Sequence, residues 1–252
     1  MNEIIKSSST RIKTGIALIL AVLVIGYIDS FFIMWLFFGI LLVISINESM
    51  KLYKMKSDSV YVYTGIVWFL AYFYPSAEDL VFLLALVYAS LIAYKAKINR
   101  KLFFPLLYPT ASFLFLLALY NEYGILSLLW LLVIVAGADV GAYFIGRSIG
   151  KTKFCETSPN KTIEGVIGGV FIATILGILF SLENISLTGA IIISILVSLA
   201  SVFGDLFESY LKRLAKVKDS GNILPGHGGI LDRTDGYLFG GIVMLIVLRA
   251  VI

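Results

Sequence analysis

The chain has 252 residues, 60% of them hydrophobic and only 14% charged, whereas a soluble domain carries about a quarter charged residues. A formal charge of +4, one Cys and one His exclude a disulfide scaffold and a soft zinc or iron site. The apolar content excludes disorder and leaves no room for a soluble enzyme on a membrane anchor, so the expected class is an all-α polytopic transmembrane protein.

Apolar runs fall at 14–28, 31–46, 60–74, 80–94, 102–119, 124–145, 163–180, 187–203 and 236–252. Hydrocarbon offers the backbone no partners, and continuous helices satisfy themselves. The runs are solidly apolar rather than alternating, which excludes a β-barrel. The first run follows Lys6, Arg11 and Lys13 but ends Gly26-Tyr27-Ile28-Asp29-Ser30 without a small-residue cleavage site, so it reads as an uncleaved span. The expectation is about nine spans.

The charges test that count. Every Lys and Arg except Arg249 falls in an alternate segment: 6–13, 51–56, 95–101, 147–161 or 212–233. The opposite loops, at 29–30, 75–79, 121–123 and 181–186, are short and hold acidic charges alone. This positive-inside pattern predicts a cytoplasmic N-terminus and an outer C-terminus. Basic residues sorted this way beside a membrane do not point to nucleic acid. They can also hold anionic membrane lipids. Two inner segments are long, 146–162 and 204–235, so chemistry is expected on the cytoplasmic face. The chain thereby divides into spans one to five (1–122) and a catalytic region (123–252).

Three stretches carry candidate chemistry. Asp139 ends an apolar run and shares a helix face with Tyr143 and Arg147. The glycines Gly141, Gly146 and Gly150 allow a close backbone approach, either to a ligand or to another helix. Next, Ser158, with Thr157 as the alternative, is placed to cap a helix with Pro159 in its first turn. Together with Lys161 and Thr162 it forms either an anion site or a plain cap. Cys155 reads as an incidental loop residue.

In the third stretch, Asp205, Glu208, Ser209 and Lys212 share one face of a helix leaving the bilayer. Pro225 to Gly229 cannot continue a helix, and a fold-back there brings Asp232 toward Asp205. Two hard carboxylates among cations suit Mg²⁺ bridging phosphate oxygens. His227 reads as a phosphate donor, a base or a loop-stabilising group.

These residues resemble the phosphatidate cytidylyltransferase (CDP-diglyceride synthase) family. Its signature is met by Ser209, Lys212-Arg213, Lys218-Asp219, Gly221, Leu224-Pro225, His227-Gly228-Gly229, Ile230, Asp232-Arg233 and Asp235. Ala138-Asp139 with Tyr143 and Gly146-Arg147, and Ser158-Pro159 with Lys161-Thr162 and Glu164-Gly165, are similar too, although Asn160 stands where many members carry a basic residue. The resemblance covers about 138–235 well, and the first five spans only as membrane helices.

It implies that CTP and phosphatidic acid give CDP-diacylglycerol and pyrophosphate in the bacterial inner membrane. It also implies Mg²⁺, with potassium implicated at the metal centre, and a homodimer. The family's metal aspartates map onto Asp205 and Asp232, with Asp139 as a supporting carboxylate. Lys161, Lys212 and Arg213 are then phosphate clamps, Ser158 and Thr162 nucleotide phosphate donors, Arg147 and Lys218 further phosphate contacts, and Arg233 and His227 leaving-group contacts. Two rivals are weighed against this. A CTP-dependent lipid kinase would use similar parts, and a transporter would need polar residues deep in several spans, whereas the first five read as nearly bare.

Overall fold

The computed structural model describes residues 2–95 and 97–251, with side chains from Lys13 onward. The Lys6 and Arg11 side chains of the first inner segment therefore lie outside the described residues. Nine α-helices are present among the described residues, with short 3-10 turns at Ala77–Asp79 and Arg100–Leu102: α1 (Asn2–Ile28), α2 (Phe31–Leu52), α3 (Asp58–Phe73), α4 (Leu80–Tyr94), α5 (Phe103–Leu107), α6 (Thr110–Ile149), α7 (Ile163–Leu179), α8 (Leu187–Ala215) and α9 (Leu231–Val251). Their β pairing is limited to two isolated bridges, Lys153 with Thr162 and Leu224 with Gly228. The protein is all-α and crosses the membrane several times.

The expected count of nine spans is not reached by length and composition. Five stretches are long and apolar enough: Phe31–Leu52, Ala77–Tyr94, Arg100–Ile149, Leu187–Ala215 and Leu231–Val251. Helix length accounts for the difference. Helices α3 and α7 have 16 and 17 residues, about 24–26 Å at 1.5 Å per residue against a core of about 30 Å, whereas α1 has 27 residues with side chains described only from Lys13. The 50-residue stretch Arg100–Ile149 holds two of the predicted runs. Within it Gly124 leaves helical geometry at φ 72°. The Ser127 hydroxyl donates to both Gly124 O (2.7 Å) and Leu119 O (3.2 Å). Eight residues of straight helix would separate Leu119 and Ser127 by about 12 Å. The chain therefore reverses at Gly124, beside the outer turn expected at 121–123.

The chain forms two compact units. The first comprises Met1–Leu117 and Leu214–Arg233. In it α2 packs against α1, α3 and α5. Met34, Phe38, Leu42 and Ile46 recur every four residues and are buried, while Phe32, Leu36, Ile40 and Val43 are exposed. Such an apolar outer stripe is a liability in water and what lipid requires. At the start of α2, the Trp35 indole N–H donates to Trp68 O of α3 (2.9 Å), and the two rings stack at 6.4 Å with Tyr72 edge-on at 5.2 Å. This aromatic cluster lies beside the predicted outer turns, where interfacial rings are favoured.

The second unit comprises Ala118–Arg213 and Thr234–Ile252. Its α6–α7 contact is made by small residues. A Cβ on Gly141 would sit 3.0 Å from Gly169 Cα, and one on Gly169 would meet Ala138 O and Ala142. Buried Trp130 anchors the same helix pair by donating its indole N–H to Gly177 O (2.7 Å). The neighbour for which Gly141 makes room is therefore α7. Gly169→Val should cost about 2 kcal/mol through overpacking, lowering the Tm in detergent. Gly65→Ala, with nothing within 4 Å of the added carbon, should hold or raise it.

Candidate active site

In the second unit, α8 carries Asp205, Glu208, Ser209 and Lys212 on one face, as the spacing predicts. The Ser209 hydroxyl donates to Asp205 Oδ1 (3.2 Å), and Lys161 Nζ lies 2.6 Å from Asp205 Oδ2. Lys161 and Asp205 are 24% and 34% exposed, so the pair is open to solvent or to a ligand. One turn on, Glu208 is fully buried, with Lys212 Nζ at 3.6 Å. Asp235 of α9 lies against Glu208, within the influence of Asp205 and Lys212. Carboxylates and ammonium groups thus alternate along this end of α8, and charge-assisted partners of this kind can exchange a carboxylate for a phosphate oxygen.

The Asp139–Tyr143–Arg147 face is partly as expected. Arg147 Nη1 donates to the Tyr143 hydroxyl (2.9 Å) with its guanidinium 6.0 Å from the ring centroid. Asp139, on the same helix, lies near Tyr237 of α9.

The segment before α7 differs from its prediction. Neither Ser158 nor Thr157 caps a helix. Thr162 is the N-cap of α7, its hydroxyl oxygen accepting from Gly165 N (3.1 Å). Ser158-Pro159-Asn160-Lys161 is a turn closed by Lys161 N donating to Ser158 O (3.0 Å), with proline at the position a type I or II turn favours. Residues 152–163 then pair with themselves, Phe154 N to Lys161 O and Ile163 N to Thr152 O (both 2.9 Å). In the first turn of α7, the Glu164 carboxylate accepts from Lys151 N (3.1 Å), Thr152 N (3.2 Å) and the Thr152 hydroxyl (2.8 Å). A carboxylate and a capping hydroxyl thus occupy this helix start. The turn delivers Lys161 to Asp205.

In the first unit, the loop after α8 turns back on itself at Pro225–Gly229. Leu224-Pro225-Gly226-His227 is a tight turn in which His227 N donates to Leu224 O and Leu224 N to Gly228 O (both 2.9 Å). Gly226 (φ 77°) and Gly228 (φ 85°) adopt backbone that L side chains avoid. Asp232 Oδ2 accepts from Ser220 N (2.8 Å), Gly229 N (2.8 Å) and the Ser220 hydroxyl (2.9 Å). Arg233 Nε donates to His227 O (2.9 Å), and Thr14 of α1 donates its hydroxyl to Pro225 O (3.1 Å). Lys218 and Arg233 are exposed and His227 is half-buried. Arg213, in the second unit, is exposed as well.

Sequence reasoning missed Glu48. This α2 residue is 3% exposed, and it accepts from Ile230 N (3.0 Å), Leu231 N (2.9 Å) and the Ser220 hydroxyl (3.0 Å). The signal was present: a lone carboxylate at the end of an apolar run, the very feature that drew attention to Asp139. The first spans are also less bare than they read, since Ser45, Ser49, Thr64, Glu78, Thr110 and Ser112 are buried.

Among the described residues no three His, Cys, Asp or Glu side chains converge as a metal cage. The donor chemistry nevertheless fits magnesium, which needs one or two hard carboxylates and takes its remaining ligands from water and substrate phosphates. Asp205 already draws a cationic partner, the Lys161 ammonium.

A family model described as "Cytidylyltransferase family" matches residues 9–251. The chain is 40% identical over 251 residues to a phosphatidate cytidylyltransferase of Helicobacter pylori strain J99, covering 98% of this chain and 94% of that protein. It is 40% identical over 245 residues to that of strain 26695, covering 96% and 92%. The Bacillus subtilis protein of the same description is 48% identical over 123 residues, 47% of this chain and 46% of its own.

The glycines of the fold-back loop are held by space. A Cβ on Gly229 would press on the Ser220 hydroxyl and the Glu48 carboxylate, and one on Gly221 on Glu48 as well. Gly229→Ala should therefore loosen the loop, seen as faster amide exchange across 219–232 and a lower Tm, while Asn222→Ala, at an exposed position, should not.

Proposed function

The chain belongs to the cytidylyltransferase family of membrane-embedded nucleotidyltransferases, and we propose that it transfers CMP from CTP to phosphatidic acid, giving CDP-diacylglycerol and pyrophosphate. The observation that carries this reading is the pairing of Lys161 with Asp205, beside Glu208 and Lys212, just ahead of and at the start of the signature Ser209–Asp235. Cations and hard oxygens gathered at one helix end suit two phosphorylated substrates.

Asp205, Asp232 and Asp139 hold the metal in this reading. Magnesium, when bound, neutralises charge on the nucleotide phosphates. A lipid phosphate oxygen attacks the α-phosphorus of CTP, forming the new P–O bond as the bond to the bridging oxygen breaks and pyrophosphate leaves. That oxygen is already anionic near neutral pH, so no strong base is required. The harder task is bringing two anions together, and this falls to the basic side chains. Lys161, Lys212 and Arg213 clamp phosphates, Ser158 and Thr162 donate to the nucleotide, Arg147 and Lys218 add positive charge, and Arg233 and His227 face the leaving group. Thr162 can donate its proton while its oxygen caps α7.

The chain crosses a bacterial inner membrane nine times in this proposal, with its shorter helices thinning the bilayer or extended by flanking residues. Its N-terminus and site face the cytoplasm, and two copies associate.

The test is to give the purified protein CTP, dCTP, ATP, phosphatidic acid and Mg²⁺ and to identify both products. CDP-diacylglycerol with pyrophosphate is expected, and CDP with a phosphorylated lipid would reveal a lipid kinase instead. Asp205→Asn and Asp232→Asn should each lower turnover more than about 100-fold while the protein stays membrane-inserted. Near-normal rates in both would refute the metal assignment. Lys54→Ala, in the second inner segment, should leave turnover near wild type.

A further inference from the structure

Resting on the reading above, we infer that Glu48 is a positioning residue: it fixes the backbone from which Asp232 is presented, and so sets the affinity of that carboxylate for its metal. The first amides of a helix have no partners within it. In α9 the residue before the first helical position is Ile230, which has no polar side chain to cap with. The Ile230 and Leu231 amides are met instead by Glu48 Oε1 and Oε2, from a helix about 180 residues earlier. Asp232, one residue further on, is thereby released from capping its own helix start. It turns Oδ2 back onto Ser220 N and Gly229 N.

The two carboxylates share one more group. The Ser220 hydroxyl lies 3.0 Å from Glu48 Oε2 and 2.9 Å from Asp232 Oδ2. A hydroxyl has a single proton, so it donates to one of them at a time. Four backbone amides, of Ser220, Gly229, Ile230 and Leu231, supply the remaining compensation that buried Glu48 and half-buried Asp232 require. Gly221 and Gly229 leave the space in which Glu48 sits. The signature glycines of the loop and a carboxylate outside the signature are thus one device.

Glu48→Gln tests this sharply, because it keeps the shape and removes one acceptor. Either orientation of the amide sets an N–H against a backbone N–H, of Ile230 or of Leu231. The probe is Mn²⁺ titrated by electron paramagnetic resonance into the full-length protein without nucleotide or lipid, alongside amide exchange. The expected result is a half-saturating Mn²⁺ raised about tenfold, with faster exchange confined to residues 219–232. Ser220→Ala, which removes only the shared hydroxyl, should move Mn²⁺ affinity the same way by less, and it decides the matter if Glu48→Gln does not insert. Unchanged Mn²⁺ affinity overturns the inference, even if exchange accelerates, since Glu48 would then be a helix cap and nothing more. A wild type that binds no Mn²⁺ overturns it also. A wild type that binds Mn²⁺ but makes no CDP-diacylglycerol would sink the proposed reaction and leave this inference standing.

Discussion

A carboxylate taken out of water must be met by donors or by a cation, and in a chain surrounded by hydrocarbon it cannot borrow them from solvent. In each of the two units the polar groups around the carboxylates follow from that constraint. Glu48 and Asp232 are met by amides of one loop. Glu164, open to solvent, is also met by backbone, from the turn that ends α6. Asp205 and Glu208 are met by lysines. The first three are held by backbone and are costly to disturb. The last two face side-chain ammonium groups that can exchange a carboxylate for a phosphate, which is the behaviour a nucleotide-handling site needs.

The same constraint explains the glycines. An extended family signature reads as a list of catalytic residues, yet Gly221 and Gly229 are there because a carboxylate occupies the space a side chain would take. Gly226 and Gly228 are there because the turn demands positive φ. Between α6 and α7, small residues do a third job, letting two helices approach where lipid gives no hydrophobic reason to associate.

Much of this was legible in the sequence. The apolar runs are largely helical, although 102–119 is broken by a turn at Tyr108–Pro109 between α5 and α6, and the face shared by Asp205, Ser209 and Lys212 follows from helical periodicity alone. The fold-back at Pro225–Gly229 follows from residues that cannot stay helical. What was not legible came from partners distant in the chain. No local spacing links Glu48 to Ile230, and the cap of α7 moved from Ser158 to Thr162 because residues 152–163 pair with themselves before the helix begins. The span count fell short for a different reason. Hydropathy marks where a chain is apolar, whereas helix length depends on turns such as the one at Gly124, where one residue's φ separates two runs that a length criterion joins.

The proposed reaction requires both charged loops to face the cytoplasm, and the chain's lone thiol makes that directly measurable. Cys155 lies in the loop before α7, and a second probe, Lys218→Cys in a Cys155→Ser background, lies in the loop before α9. A membrane-impermeant maleimide should label both in inverted vesicles and neither in intact cells. Labelling of either thiol from outside would place its loop on the wrong side of the bilayer and contradict the account.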